Sequence, residues 1–167
     1  IKKINNEDPQ LIAEFDSLAR NVTAFPKTLL HRDFQSQNIM VTKGSIPRLI
    51  DYQGARLGPA AYDIASMLWD PYYRIKDGLR DKLTEYYIMR MKQALNHFSE
   101  ADFRKSLLPC RLQRHMQALG AYGFLSAEKG KTYFLKHIPQ AVDHLKQETA
   151  LARDTYPLLH ALTAGLS

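Results

Sequence analysis

The sequence has little of what marks several protein classes. Its single cysteine, Cys110, cannot form an internal disulfide framework, and 8 Gly and 8 Pro among 167 residues exclude collagen-like and low-complexity chains. No stretch approaches the roughly 20 apolar residues of a membrane span, and the first residues lack the apolar run of a secretory signal. We therefore expect a folded, cytoplasmic protein that does not enter a membrane.

The sequence also lacks an internal repeat and any linker that would separate two domains. With 45% hydrophobic residues, 167 residues are long enough to enclose one hydrophobic core. We therefore expect residues 1–167 to form a single domain. Because the chain begins without Met, we expect it to be a fragment of a longer protein.

The net charge of +6 comes from one half of the sequence. Residues 1–70 hold 8 Lys or Arg and 8 Asp or Glu, so the whole excess lies in residues 71–167. Such a half could attract nucleic acid or a phosphorylated ligand. Because its basic residues are scattered and no nucleic-acid motif accompanies them, we favour a solvated helical surface and expect no nucleic-acid partner.

Helix and strand signals alternate in the first 70 residues. Asp8 followed by Pro9 is typical of a helix start, and the apolar spacing predicts a helix that ends near Asn21. The Gly-containing turn at residues 43–45 predicts a β-hairpin, and helical patterning resumes over residues 62–69. Short apolar runs predict strands at residues 28–31, 38–41 and 48–51.

From residue 77 onward the pattern is helical almost throughout. Ser99 is expected to cap a helix, and Pro109 is expected near a helix start. Residues 120–131 have a looser pattern, and a last long helix is expected over residues 138–152. The whole pattern predicts an α+β fold, mostly helical, with a small β-hairpin insert that carries loops at its strand ends.

The loop between the first two predicted strands carries a specific motif. Residues 31–38 read HRDFQSQN, which matches the H-R-D-x-x-x-x-N catalytic loop of phosphoryl-transfer enzymes at each fixed letter. Four fixed letters would arise by accident in about one chain of this length in a thousand. Asp51 ends the third strand, so Asp33, Asn38 and Asp51 are expected to converge at one rim of the insert.

These three side chains fit the needs of phosphoryl transfer. Carboxylate and carboxamide oxygens are hard ligands that suit Mg²⁺ beside nucleotide phosphates, so we assign Asn38 and Asp51 to the metal. We assign Asp33 as the base that orients the acceptor hydroxyl and takes its proton. Each residue also has an ordinary alternative, in which Asp33 caps a turn, Asn38 is a loop amide and Asp51 pairs with an arginine.

Residues 29–70 resemble the aminoglycoside phosphotransferase and choline kinase family, distant relatives of the protein kinases. The segments that carry the resemblance are residues 31–40, 49–53 and 58–68, and they are especially similar to bacterial kinases of cell-wall amino sugars. A weaker likeness continues at residues 113–120. The resemblance implies a protein-kinase-like fold in which a mostly helical C-terminal lobe carries the catalytic loop.

The resemblance implies an ATP- and Mg²⁺-dependent phosphotransferase whose acceptor is a hydroxyl of a small polar molecule, with a sugar or amino sugar as first choice. Such kinases bind ATP between an N-terminal β lobe and the C-terminal lobe. Nothing before Asp33 resembles a Gly-rich phosphate loop, so we expect this chain to be the C-terminal lobe with the ATP-clamping lobe absent. We expect the fragment alone to be inactive, and its exposed lobe-facing surface to allow self-association.

The resemblance also implies residues that support the site. His31, Arg32 and Asp63 are expected to support the catalytic loop, and in similar kinases an aspartate at position 63 accepts hydrogen bonds from the loop backbone. Its place at a helix start equally favours simple capping. Gly54 departs from the family, because amino-sugar kinases often carry an acidic residue there. The candidate contacts of the acceptor are Gln35, Gln53, Asp70, Arg114 and His115.

A non-catalytic alternative stays open. A kinase-like lobe could keep the fold and bind a small ligand or a partner protein without transferring phosphate. A gene that continues upstream into a Gly-rich hairpin and a strand lysine favours the enzyme, whereas a start codon close to Ile1 favours the binding module.

Overall fold

The computed structural model of the chain describes residues 8–166. These residues form six α-helices and four β-strands, with 3₁₀ turns at Ser36–Asn38 and Thr132–His137. The strands are β1 Lys27–Leu30, β2 Ile39–Thr42, β3 Ile46–Leu49 and β4 Arg56–Pro59. The helices are α1 Pro9–Ala24, α2 Ala61–Leu68, α3 Asp77–Ala94, α4 Glu100–Ala127, α5 Ile138–Leu151 and α6 Pro157–Ala164. None of these helices is long and apolar enough to cross a membrane.

The described residues divide into two compact units. Residues 25–110 form the first, which we call the loop unit, and residues 8–24 together with 111–166 form the second, which we call the helical unit. All strands of the described chain lie in the loop unit. The mostly helical content with a few short strands confirms the predicted mixed fold class.

The strands form two separate antiparallel pairs rather than one hairpin insert. β1 pairs with β4, so that Lys27 lies opposite Pro59 and Leu30 opposite Arg56, and β2 pairs with β3. The sequence pattern does not predict β4, because Gly58 and Pro59 ordinarily interrupt strands. In a two-stranded pair every strand is an edge, which tolerates proline, and a Cβ at Gly58 would lie 2.6 Å from Leu30 Cδ1. A larger residue at position 58 would therefore displace the side chain of the buried Leu30.

The turn between β2 and β3 confirms the predicted hairpin. Gly44 has a φ angle of 85°, which glycine adopts without strain. Ser45, which follows it, also has a positive φ angle, of 59°. The N–H of Ser45 donates a 3.1 Å hydrogen bond to the carbonyl of Thr42. The resulting register places Ile39 opposite Leu49.

Two predicted helix starts are confirmed by their caps. Asp8 Oδ1 accepts a hydrogen bond from the N–H of Gln10 at 2.9 Å, and Ser99 Oγ accepts one from the N–H of Asp102 at 3.2 Å. Each cap satisfies a backbone N–H that has no partner within its own helix. Helix α1 continues to Ala24, slightly beyond its predicted end.

Helix α4 is longer than its sequence predicts. Pro109 lies inside it rather than near its start, and the helix continues through Gly120 to Ala127. The prediction of looser chain over residues 120–131 is therefore wrong for the part within α4. An interior proline removes a helical hydrogen bond, and glycine costs about 1 kcal/mol relative to alanine. Packing offsets these losses, since α4 buries side chains such as Leu112 completely.

The predicted last long helix over residues 138–152 is confirmed as α5, and a further short helix that the sequence pattern did not predict, α6, follows it. Helix α5 ends at Leu151, and α6 begins with Pro157 at its first position, where proline is favourable. The carboxylate of Glu14 accepts hydrogen bonds from the N–H groups of Leu158 and Leu159 at 2.9 and 2.8 Å. A negative charge is favourable there because the N-terminus of a helix carries a partial positive charge. Helix α1 thus supplies the cap of α6 within the helical unit.

Candidate functional site

The motif at residues 31–38 forms the connection between β1 and β2. Leu30, the last residue of β1, is buried, and the chain then turns sharply at Arg32, whose φ is 73°. This left-handed conformation costs a residue other than glycine about 1–2 kcal/mol. Backbone strain of this kind persists only where surrounding contacts hold the chain in place.

Asp63 holds the start of the loop. The residue lies in the first turn of α2, and its two carboxylate oxygens accept hydrogen bonds from the backbone N–H groups of His31 at 2.7 Å and Arg32 at 2.9 Å. Hydrogen bonds to a charged acceptor are roughly twice as strong as neutral ones. Asp63 thus stabilises the strained turn at Arg32, and these are the contacts that the family resemblance implies for this position.

Asp70 holds the far end of the loop. Its side chain is 1% exposed, and its Oδ2 atom accepts a 2.7 Å hydrogen bond from the N–H of Ser36. Its Oδ1 atom accepts a 2.8 Å hydrogen bond from the N–H of Tyr72, which makes a local turn of a kind that aspartate favours. One buried carboxylate therefore binds both the loop and the segment that follows α2.

Hydrogen bonds within the loop fix the backbone of Asp33. Its carbonyl oxygen accepts the N–H of Gln35 at 3.0 Å and the side-chain Nδ2–H of Asn38 at 2.9 Å. The N–H of Asn38 donates to the carbonyl of Gln35 at 2.9 Å. Because the Asn38 amide nitrogen bonds inside the loop, its oxygen Oδ1 is the atom that remains to serve as a ligand.

Ile50 ties the loop to the end of β3. Its N–H donates a 3.1 Å hydrogen bond to the carbonyl of Asn38, and its carbonyl lies 2.9 Å from His31 Nε2. Because a carbonyl only accepts, His31 donates through Nε2–H. Asp51 is the next residue, so the β2–β3 register brings it to the same end of the hairpin as Asn38.

Asp51 leaves the hairpin in a left-handed conformation, with φ of 65°. Its side chain is exposed, and its Oδ1 accepts a 2.5 Å hydrogen bond from the side-chain amide of Gln53. Arg32 Nη1 donates to the carbonyl of Gly54 at 3.2 Å, which fastens the following turn to the start of the loop. Gln53 is therefore placed beside Asp51, and Arg32 supports the turn after it.

The donor set at this point suits a hard divalent cation. Asn38 contributes an amide oxygen and Asp51 an exposed carboxylate, the oxygen ligands that Mg²⁺ favours. No group of three or more His, Cys, Asp or Glu side chains among residues 8–166 is arranged to hold a metal ion. A site with one amide oxygen and one carboxylate is of a different kind, and it suits a metal ion that completes its shell with phosphate oxygens.

The charge of Asp63 also acts on a tyrosine of α3. Burial is the main cause that raises the pKa of Tyr87 to about 12, and the negative charge of Asp63 adds to it. The ring of Tyr87 packs against Phe103, with 5.3 Å between centroids. Tyr87 is therefore neutral at ordinary pH.

The loop unit also contains a cavity of about 160 Å³, whose lining includes none of residues 31–38. Its walls include Lys27 of β1 and Pro59 of β4, which pair at the end of that sheet opposite to His31. Aromatic side chains such as Phe98 and Phe103 line much of the rest. The cavity contains none of the residues that the motif places together.

Two of the candidate acceptor contacts lie in the helical unit. His115 is 1% exposed; its Nδ1 lies 2.8 Å from Glu148 Oε2, and its Nε2 lies 3.3 Å from His144 Nδ1. Glu148 is fully buried and also accepts a 2.9 Å hydrogen bond from Arg111 Nε. Arg114 is partly exposed and donates to the side chain of Gln117 at 3.2 Å.

Two of the candidate acceptor contacts, Asp70 and His115, are buried in this structure, and each bonds to groups of the protein. The sequence analysis also did not predict the roles of Ser36 and Ile50, which act through backbone atoms and leave no side-chain signal. The Asp-Pro pair at residues 70–71 is a turn signal that indicates an aspartate bonded to nearby backbone.

Comparison with known proteins gives one family and a set of similar relatives. The family described as "Phosphotransferase enzyme family" matches residues 2–103, more than half of the chain. An N-acetylmuramate/N-acetylglucosamine kinase of Neisseria meningitidis serogroup B is 29% identical over 145 residues, which are 86% of this chain and 43% of that protein. The chain thus spans about two fifths of the length of the curated relatives that it matches.

Proteins of the same name from two Pseudomonas species match this chain at similar identity and coverage. The protein of Pseudomonas aeruginosa is 26% identical over 151 residues, which are 83% of this chain and 40% of that protein. The protein of Pseudomonas putida is 26% identical over 136 residues, which are 78% of this chain and 39% of that protein.

Proposed function

The chain belongs to the phosphotransferase enzyme family, and from that premise we propose that it is the catalytic-loop lobe of an ATP-dependent kinase for amino sugars. The observation that carries this proposal is the double hydrogen bond of Ile50, which ties the loop of Asp33 and Asn38 to the residue before Asp51. The names of the relatives supply the acceptor class, since each is a kinase of N-acetylated amino sugars.

Asp33 has the central chemical role in this proposal. Its carboxylate accepts a hydrogen bond from the acceptor hydroxyl and takes the proton as the new oxygen–phosphorus bond forms. The hydrogen bonds to its carbonyl from Gln35 and Asn38 hold its backbone in place. Phosphoryl transfer depends mainly on positioning and on charge neutralisation, so the rigidity of this backbone is part of the mechanism.

Asn38 and Asp51 would hold Mg²⁺ in the intact enzyme. When bound, Mg²⁺ neutralises charge on the nucleotide phosphates and orients them. Gln53 restrains Asp51 through its side-chain amide. Arg32 and Asp63 keep the loop in the shape that these roles require, through the hydrogen bonds described above.

We propose that the chain corresponds to the C-terminal lobe of the kinase. The share of the relatives' length that it matches supports this, because roughly three fifths of each relative lies outside the match. The part that clamps ATP would belong to that remainder. A kinase that consumes ATP acts where ATP is supplied, so we place the enzyme in the cytoplasm.

The proposal is tested by phosphoryl transfer with the full-length protein that contains this chain. Purified protein is incubated with ATP labelled in the γ-phosphate and with N-acetylmuramate, N-acetylglucosamine, choline, a fructosamine or an aminoglycoside. We expect phosphorylation of the amino sugars. Transfer only to another acceptor would overturn the acceptor class, and transfer to none would overturn the kinase assignment.

The metal assignment is tested separately by Asp51→Asn. Replacing the charged carboxylate with an amide weakens a hard-cation site, so the Mg²⁺ concentration needed for half-maximal rate is expected to rise at least tenfold. Asp81→Asn, an exposed aspartate of α3, is the matched control and is expected to keep the wild-type Mg²⁺ dependence. An unchanged Mg²⁺ dependence in Asp51→Asn would contradict the assignment.

A further inference from the structure

We propose that Asp70 is a positioning residue for phosphoryl transfer, which holds the Ser36 end of the catalytic loop while Asp63 holds its His31 end. The inference rests on the proposed function and adds a residue to it. Asp70 is buried beneath the loop, whereas a contact of the acceptor would have to be exposed. The loop then has an anchor on each side of Asp33.

The two anchors make the same kind of hydrogen bond at opposite ends of the motif. The bond from Ser36 N–H to Asp70 and the bond from His31 N–H to Asp63 are both 2.7 Å long. Each acceptor is a carboxylate on or just after α2. Helix α2 and the residues directly after it therefore present one carboxylate to each end of the loop.

The second anchor is needed because the middle of the loop has little support of its own. Ser36 begins a 3₁₀ turn of three residues that ends at Asn38, and isolated turns of this kind are weak. Without the bond to Asp70, Asn38 would depend on the loop's internal hydrogen bonds and on the bond from Ile50. A displacement of about 1 Å in a group of this kind can lower a rate about 100-fold.

Asp70 also joins the loop to the segment after α2. Its Oδ1 atom accepts the N–H of Tyr72. A movement of the segment after α2 would therefore also move the Oδ2 atom that accepts the bond from Ser36. Removing the carboxylate would leave the N–H groups of Ser36 and Tyr72 without the partner that they have in the structure, and an unpaired N–H away from water is unfavourable. The effect on the loop is therefore expected to reach Asn38 through the 3₁₀ turn.

The sharpest test removes the donor rather than the buried charge. Ser36→Pro deletes the N–H that bonds to Asp70, and the backbone allows it, because Ser36 begins a 3₁₀ turn and Gln35 is extended with φ of −133° and ψ of 163°. Ser36→Ala keeps the N–H and is the matched control. In the full-length protein we expect Ser36→Pro to lower kcat about 10- to 100-fold with KM for the acceptor within about threefold. We expect Ser36→Ala to stay within about threefold of wild type.

A second measurement follows the anchors directly in the chain itself. In Asp70→Asn, the backbone amide resonances of Ser36 and Tyr72 are expected to move, while those of His31 and Arg32 stay in place. Asp63→Asn is expected to give the opposite pattern. The two patterns together show whether each carboxylate holds its own end of the loop, whereas the kcat of Ser36→Pro shows whether the Ser36 end matters for transfer.

The outcomes separate the inference from the proposed function. If the wild-type protein transfers phosphate and Ser36→Pro keeps the wild-type kcat, the positioning role is wrong and the proposed function stands. If the wild-type protein phosphorylates no acceptor, the proposed function fails. The amide resonances then decide the anchor alone, and an unmoved Ser36 signal in Asp70→Asn overturns it.

Discussion

Glu14 in the helical unit and Asp63 in the loop unit make the same contact with different segments. Each carboxylate accepts hydrogen bonds from two successive backbone N–H groups. For Glu14 these groups belong to the first turn of α6. For Asp63 they belong to residues 31–32, which begin the loop that carries Asp33.

The difference shows that the effect of such a carboxylate depends on the segment that it holds, because the contact itself is the same in both units. A carboxylate at the start of a helix satisfies N–H groups that a helix always leaves unpaired. A carboxylate under a loop fixes a backbone that would otherwise choose among several conformations. We therefore expect losses of stability from acids of the helical unit and losses of rate from Asp63 and Asp70.

The largest effect on stability is expected from Glu148→Gln. Glu148 is fully buried and bonds to Arg111 and His115 at 2.9 and 2.8 Å. Breaking a buried ion pair on one side leaves an uncompensated charge, so the free energy of unfolding is expected to fall by about 3–5 kcal/mol. Urea denaturation measures this, with the exposed Glu128→Gln as control. A loss below about 1 kcal/mol would mean that the contacts of Glu148 with Arg111 and His115 contribute little to stability.

A loss of rate is expected from Asp63→Asn. One oxygen is replaced by an amide that cannot accept the N–H of His31 or Arg32, so the strained turn loses half of its support. We expect kcat of the full-length protein to fall about 100-fold, while Asp81→Asn keeps the wild-type rate. Asp63→Asn with wild-type kcat and reduced stability would place Asp63 in the same class as Glu14.

Glu14→Gln is expected to lower stability and to leave kcat unchanged, in contrast to Asp63→Asn. The variant loses the charge that favours the N-terminus of α6 and one of two accepted hydrogen bonds. Loss of a helix cap lowers stability by about 1 kcal/mol, and kcat is expected to stay at the wild-type value. Denaturation and transfer assays on the same preparation check both parts. A large fall in kcat would contradict the claim that Glu14 affects stability and not rate.

The conformations of the motif at residues 31–38 and of the hairpin were predictable because their signals are local. Residues 31–38 match a fixed spacing, and Gly44 marks the turn that brings the ends of β2 and β3 together. Asp8 and Ser99 likewise cap helices that begin directly after them. Each of these features depends on residues within a few positions of one another.

The features that escaped prediction join residues far apart in the sequence. The bond of Asp70 to Ser36 spans 34 positions, and β4 forms by pairing with β1, a strand far from it in the sequence. His115 and Asp70 carry polar groups that suit an acceptor, and only the fold shows that they are buried. Spacing along the chain contains no information on such burial.

The smallest effect is expected from Tyr87 at alkaline pH. Burial, with help from the charge of Asp63, raises the pKa of Tyr87 from 10.0 to about 12. The folded state then holds this proton more tightly, so its contribution to stability is complete below pH 10 and is lost as the pH rises towards about 12. Tyr87→Phe is expected to flatten this part of the stability–pH curve, and an unchanged slope would contradict the shift.

The proposed role of Asp33 as the base is tested most directly by the rate of phosphoryl transfer in Asp33→Asn. An amide cannot accept the proton of the acceptor hydroxyl, and a positioned base contributes about 100- to 10,000-fold to a rate. We predict that kcat for transfer to N-acetylmuramate or N-acetylglucosamine falls at least about 100-fold, with the fold intact and with Asp81→Asn at the wild-type value. Asp33→Asn with more than about a tenth of the wild-type kcat would contradict the account.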